Sequence, residues 1–166
     1  MKLFHVYTTL ALSLSATAMA YPAIGDRVEY VGHFSDNRFT RPLTQTTEIV
    51  GFVKDRDLYM IRESQELGSE TRRSIREAPT KEVMTPQDIA HMISNCEEIG
   101  GTSELVIAEA GTFDTCARTK EFNDGSFTKT WYGDVPFGVV RQHWQKFRKS
   151  YDITLESYTF GDDETP

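Results

Sequence analysis

What the chain has little of narrows it first. Among 166 residues there are two cysteines and four histidines. No Cys-x-x-Cys and no His-Glu-x-x-His spacing occurs, and His33, His91 and His143 fall in separate segments. That excludes the usual zinc motifs and points to no metal site. Gly-x-Ser-x-Gly is missing, so there is no strand-to-helix elbow for a serine nucleophile. A glycine-rich phosphate loop ahead of a helix is missing too, and the sequence points to no cofactor. Beyond residue 20 no apolar run approaches the roughly 20 residues that span a bilayer, so no transmembrane span is expected in the processed chain. Positive charge is also short. Eighteen Lys and Arg stand against 25 Asp and Glu, a formal net charge of −7. Such a chain repels phosphate on average, and nucleic acid is not an expected partner.

What is present begins with residues 1–20, which have the form of a secretory signal peptide. Lys2 gives the positive start, and a mostly apolar stretch follows. Ala18 and Ala20 place small residues at the −3 and −1 positions of a cleavage site. No cysteine stands at that site to carry a lipid. The expectation is an exported protein, periplasmic or extracellular, cleaved near Ala20. Its single β-rich domain spans residues 21–160, and residues 161–166 form an acidic flexible tail. In an exported chain Cys96 and Cys116 read as one disulfide closing a loop of roughly 20 residues, worth about 3 kcal/mol on a chain-entropy argument.

Periodicity of two dominates the rest. Strands are expected over residues 25–34, 44–54, 58–63 and 70–77, with residues 35–42 as a loop. Residues 85–101 hold one helix. Thr85 is its N-cap, Pro86 its first residue and Asp88 its capping partner. Ile89, Met92, Ile93 and Cys96 form its buried face, and Gly100 and Gly101 its stop. Further strands are expected over residues 103–108, 112–122, 127–132 and 153–160, with a turn at Asn123, Asp124 and Gly125. Residues 139–147 fit a strand better than a helix. The fold class is mainly β (α+β). One curled antiparallel sheet, or an unclosed β-barrel, of about eight or nine strands carries one helix packed on it.

Carboxylates are plentiful without being organised. Asp88 and His91 lie one helical turn apart and read as a surface pair. Asp55 with Asp57, and Asp162 with Asp163 and Glu164, fall short of the six to eight oxygens of a calcium loop. Nothing singles out two acids for hydrolysis, and no catalytic residue is assigned. The sharpest charge feature is the basic, aromatic segment over residues 139–149. Arg141, Trp144, Lys146 and Arg148 form a candidate patch for an anionic surface.

Glu109 to Asp114 reads Glu-Ala-Gly-Thr-Phe-Asp. A Thr-Trp-Tyr run follows at residues 130–132 and Val-Pro-Phe-Gly-Val-Val at 135–140. Together these segments resemble small exported bacterial β-rich proteins of uncharacterised function. Those look in turn like the periplasmic lipoprotein carriers, whose unclosed β-barrel holds helices against its concave side. The likeness covers about residues 103–160. It implies a non-enzymatic binding protein holding a lipid, a lipidated protein or another amphipathic molecule on the concave face of the sheet. Tyr30, Phe52, Tyr59, Phe113 and Trp131 are the candidate ligand-facing residues, and each also fits plain core. The alternative is an envelope-associated interaction protein using the basic aromatic strand; a hydrolase comes third.

Overall fold

The computed structural model describes residues 22–161. The expected leader over 1–20 and nearly all of the tail over 161–166 lie outside them. Nine strands form one antiparallel sheet: β1 (Arg27–Asp36), β2 (Phe39–Val53), β3 (Leu58–Leu67), β4 (Glu70–Pro79), β5 (Thr102–Ala108), β6 (Gly111–Glu121), β7 (Phe127–Tyr132), β8 (Val139–Lys146) and β9 (Lys149–Thr159). Their spatial order is β4-β3-β2-β1-β9-β8-β7-β6-β5, so the first and last strands are neighbours in the middle and the sheet does not close. One α-helix, α1 (Pro86–Ser94), connects the two halves. The expected fold class holds, with nine strands and one α-helix among the described residues.

Bulges bend this sheet. The ladders shift between Glu29 and Tyr30, between Ile49 and Gly51, and between Trp131 and Tyr132. Each inserts a residue that increases local twist. The sheet curls far enough for β5 to touch β8 and β9, although β6 and β7 lie between them. Two apolar clusters fill the interior. One gathers Val28, Tyr30, Leu43, Val140, Ile153 and Leu155 with residues of β5 to β7. The other holds Ile49, Ile61, Ala78 and Val83, and Phe137 packs against both. Each fully buried Ile, Leu or Val contributes about 1.5–3 kcal/mol.

The start of α1 follows the local chemistry. The Thr85 side chain accepts from the Asp88 backbone N–H, and the Asp88 carboxylate accepts from the Thr85 N–H. The Thr85 backbone N–H foremost, and then the Thr85 hydroxyl, which also donates to this carboxylate, hold the Asp88 carboxyl below its ordinary range. The helix ends earlier than its pattern implies, at Ser94. Ser94 Oγ donates to the Ala90 carbonyl, and the Asn95 side chain donates to that of His91. Polar side chains competing for backbone partners close a helix in this way. Cys96 therefore lies in the turns after α1 and not in its last turn.

The segment expected as a loop over 35–42 is a tight hairpin instead. Asp36 pairs with Phe39, and Pro42 lies inside β2 opposite His33. Proline is tolerated there because Leu43 and Leu67 are the last pair of β2 with β3; beyond them the Pro42 carbonyl accepts from the Gly68 N–H at 3.2 Å, and no ladder bond calls for a Pro42 N–H. Of residues 139–147, Val139–Lys146 form the strand β8, and Phe147 turns the chain with a φ of 52°.

The two ends of the described chain are clasped. Buried Asp26 accepts from the backbone N–H of Ala23 at 2.7 Å and of Gly161 at 2.8 Å. Tyr59 donates its hydroxyl to the Pro22 carbonyl. No helix among the described residues is long and apolar enough to cross a membrane.

Candidate functional site

Five adjoining strands meet at one end of the sheet to form a crevice of about 380 Å³. Cross-strand register explains who lines it. Phe34 faces Tyr151, Leu43 faces Leu67, and Gln65 faces Arg72, so all six point to one face. Phe34, Leu43, Leu67 and Tyr151 supply an apolar floor, while Gln65, Glu70, Arg72 and Lys149 add a polar rim. Between Phe34 and Tyr30 on this face stands Gly32, opposite Leu43 and Ile153. A Cβ at Gly32 would meet the Asp152 carbonyl oxygen at 1.9 Å, so a side chain here would force β9 away from β1.

Tyr151 is fixed from both sides. Its ring stacks on Trp144 with centroids 5.6 Å apart and planes 18° from parallel. Its hydroxyl donates to Gln142 Oε1 at 2.6 Å, and burial raises its pKa. The rim is electrostatically uneven. Glu70 is 3.6 Å from Arg41, whereas Arg72 and Lys149 have no carboxylate partner among the described residues. An apolar floor beside two unneutralised cations suits a molecule with an apolar body and an anionic end.

Other hollows are chemically different. One of about 430 Å³ on the opposite face is lined only by polar and charged groups, among them Arg27, Glu48 and Arg62. Arg27 pairs with Glu29, and Arg62 with Glu48. Another, of about 510 Å³, is lined by the consecutive residues Gln45, Thr46 and Thr47. The rest of its lining, on β3 and β4, is also polar or charged, so it offers no apolar floor.

A charge network crosses β5, β7, β8 and β9. Glu104 accepts from Lys129 at 2.8 Å and from the Trp131 indole N–H at 2.5 Å. Both Lys129 and Arg141 lie over the Trp131 ring, at 4.5 and 4.8 Å from its centroid. Arg141 bonds Asp152 through two nitrogens, and His143 Nδ1 lies 3.4 Å from the same carboxylate. The Lys129 and Trp131 bonds hold the Glu104 carboxyl below its usual range, and the Asp152 bond raises Arg141. Every charge here is answered, so the network orders the sheet and leaves no open position for a ligand. Among the described residues no three His, Cys, Asp or Glu side chains group as a metal site.

The residues anticipated from sequence take separate places. Tyr30 and Trp131 lie in the first cluster with Phe113 against it, and Tyr59 packs on the second. Phe52 pairs with Tyr59 at 5.1 Å. None of these five lines the crevice. In the basic strand, Arg141 is paired with Asp152 and Lys146 with Asp124, and Trp144 stacks on Tyr151. Arg148 lines a small hollow at the β8–β9 turn. Alternation sends Arg141 and Trp144 to opposite faces of β8. Cys96 and Cys116 form a disulfide, with Cα atoms 5.5 Å apart. Gly101 abuts it, since a Cβ there would lie 2.5 and 2.6 Å from the two sulfurs. Of the crevice residues, only Phe34 had a sequence signal, through the alternation of β1; the others are joined by register.

No family model matches the chain, and no curated protein matches it. Among solved structures, it is similar to a Bacteroides fragilis protein provisionally described as exported and as having a YmcC-like fold. The TM-score is 0.50 at 10% identity, over 82% of this chain and 96% of the other. At that identity the likeness speaks to fold alone.

Proposed function

We propose that the protein is exported and, in the periplasm or outside the cell, binds an amphipathic ligand with an anionic end. The observation that carries this reading is the crevice of Phe34, Leu43, Leu67 and Tyr151, with Arg72 and Lys149 at its rim and without a carboxylate partner among the described residues. A lipid or a lipidated chain is such a ligand, in keeping with the lipoprotein-carrier likeness of residues 103–160. Export is supported by the signal-peptide form of residues 1–20 and by the disulfide, a bond that persists in oxidising compartments. It is also supported by the description of the similar B. fragilis protein. Cleavage near Ala20, a single domain over 21–160 and a free acidic tail belong to the same proposal.

A fluorescent fatty acid titrated into the purified protein should gain signal and saturate. The double variant Arg72→Glu/Lys149→Glu should bind the probe about tenfold or more weakly, a loss of about 1.4 kcal/mol or more. A neutral long-chain alcohol should compete poorly. Absence of any signal gain, or equal binding by the variant, would overturn the reading.

A further inference from the structure

The two free edges of the sheet are chemically unlike. β4 is exposed at every residue from 70 to 77 and carries Glu70, Arg72, Arg73, Arg76 and Glu77, with Pro79 at its end. Charges and proline on an edge discourage another strand from adding. β5, at the other edge, has no such guard. Its one ionisable residue, Glu104, is engaged by Lys129 and Trp131. Its ladder with β6 runs from Thr102 to Ala108 without a bulge, so the edge is regular. On the face away from Glu104, Leu105 is 64% exposed and Ile107 is 78% exposed. Scattered apolar residues on a surface are ordinary, but two in line on an unpaired, unguarded edge are not.

We propose that β5 pairs antiparallel with β5 of a second copy, about a two-fold axis through Val106. The strand is self-complementary in that register. Leu105 lies opposite the partner's Ile107 and Ile107 opposite the partner's Leu105, so four apolar side chains form one cross-strand cluster. Glu104 lies opposite the partner's Ala108, and no like charges face each other. Moving the axis to Leu105 would set Ser103 against Ile107, and moving it to Glu104 would oppose two carboxylates. Within β5 this register pairs only residues 104 to 108, and a ladder of five residues buries little surface, below the usual size of specific interfaces, so the association is weak and reversible. The chain is acidic overall, and added salt strengthens the dimer by screening repulsion between copies.

Sedimentation of the purified protein from about 1 µM to about 1 mM should follow a monomer–dimer equilibrium. Leu105→Lys and Ile107→Glu change exposed positions, so both variants should fold, and each should weaken self-association about tenfold or more. Mixing the two variants should restore the dimer, because the introduced ammonium of one chain then faces the introduced carboxylate of the other. A protein monomeric at every concentration overturns the proposal. So do single variants that associate like the parent, and a mixture that stays monomeric.

Discussion

Replacing Gly101 by alanine should damage the protein in proportion to the disulfide beside it. The Cys96–Cys116 bond spans a sequence separation of 20, and closing such a loop removes unfolded-state entropy worth about 3 kcal/mol. For a domain of this size that corresponds to about 10 °C in Tm, so Cys96→Ala/Cys116→Ala should melt about that much lower. Gly101 has no left-handed φ, so an alanine there meets no backbone penalty and its cost is steric alone. Its Cβ would stand 2.5 and 2.6 Å from the two sulfurs and 3.0 Å from the Cys96 carbonyl oxygen. In the disulfide-bonded protein this overpacking should cost about 2–3 kcal/mol. In the double alanine variant both sulfurs are gone and only the carbonyl contact remains, so the cost should fall to about 1 kcal/mol. Thermal melts of the four proteins, followed by circular dichroism, close the cycle. Equal costs of Gly101→Ala in the two backgrounds would show that the close approach to the sulfurs carries no energy and would refute the reasoning. Both half-cystines are at most 2% exposed, so reductant should act slowly on the folded protein and quickly after urea is added.

Two further outcomes follow from the same geometry. Glu104 has a pKa lowered in the folded state, so its contribution to stability is complete above the unfolded carboxylate value of about 4.3 and is lost as pH falls through the folded value. Glu104→Gln should cost about 1 kcal/mol near neutral pH, the charged hydrogen bonds being discounted for a side chain about one-third in water. The gap between the two proteins in urea unfolding should narrow from pH 6 to pH 3, and a gap that widens on acidification would contradict the assignment. Gly32→Ala places a Cβ 1.9 Å from the Asp152 oxygen and should either lower Tm by more than 10 °C, on the order of several kcal/mol, or prevent folding; a Tm within a few degrees of the parent would contradict it.

Sequence carried the local features and lost the distant ones. The capping pair Thr85 and Asp88, the Asn123–Gly125 turn and the strand Phe127–Tyr132 were legible because each is decided by residues within a few positions. Pro42 misled because its acceptability depends on where β3 stops, 25 residues further along. Of the aromatic residues singled out for a ligand, Tyr30 and Trp131 are core, and Phe52, Tyr59 and Phe113 are half-buried away from the crevice, for a related reason. Alternation says which residues share a face but not which part of that face the curled sheet leaves open. Tyr151 and Leu67 reach the same crevice through the register of five strands, and no single stretch of sequence records it.

The pairing of β1 with β9 means that the middle of the sheet is the last part to be written. During synthesis the β1–β4 meander is complete as a set of local hairpins long before residues 149–159 exist. Until then, the edge that carries Val28, Tyr30 and Gly32 has no neighbour. The ladder holding the two halves together is thus the one with the largest loop-closure cost, because its partners are the most distant in the chain. Loss of the final strand would not trim this protein at one side. It would split the sheet through its centre and leave two halves, each with a raw edge.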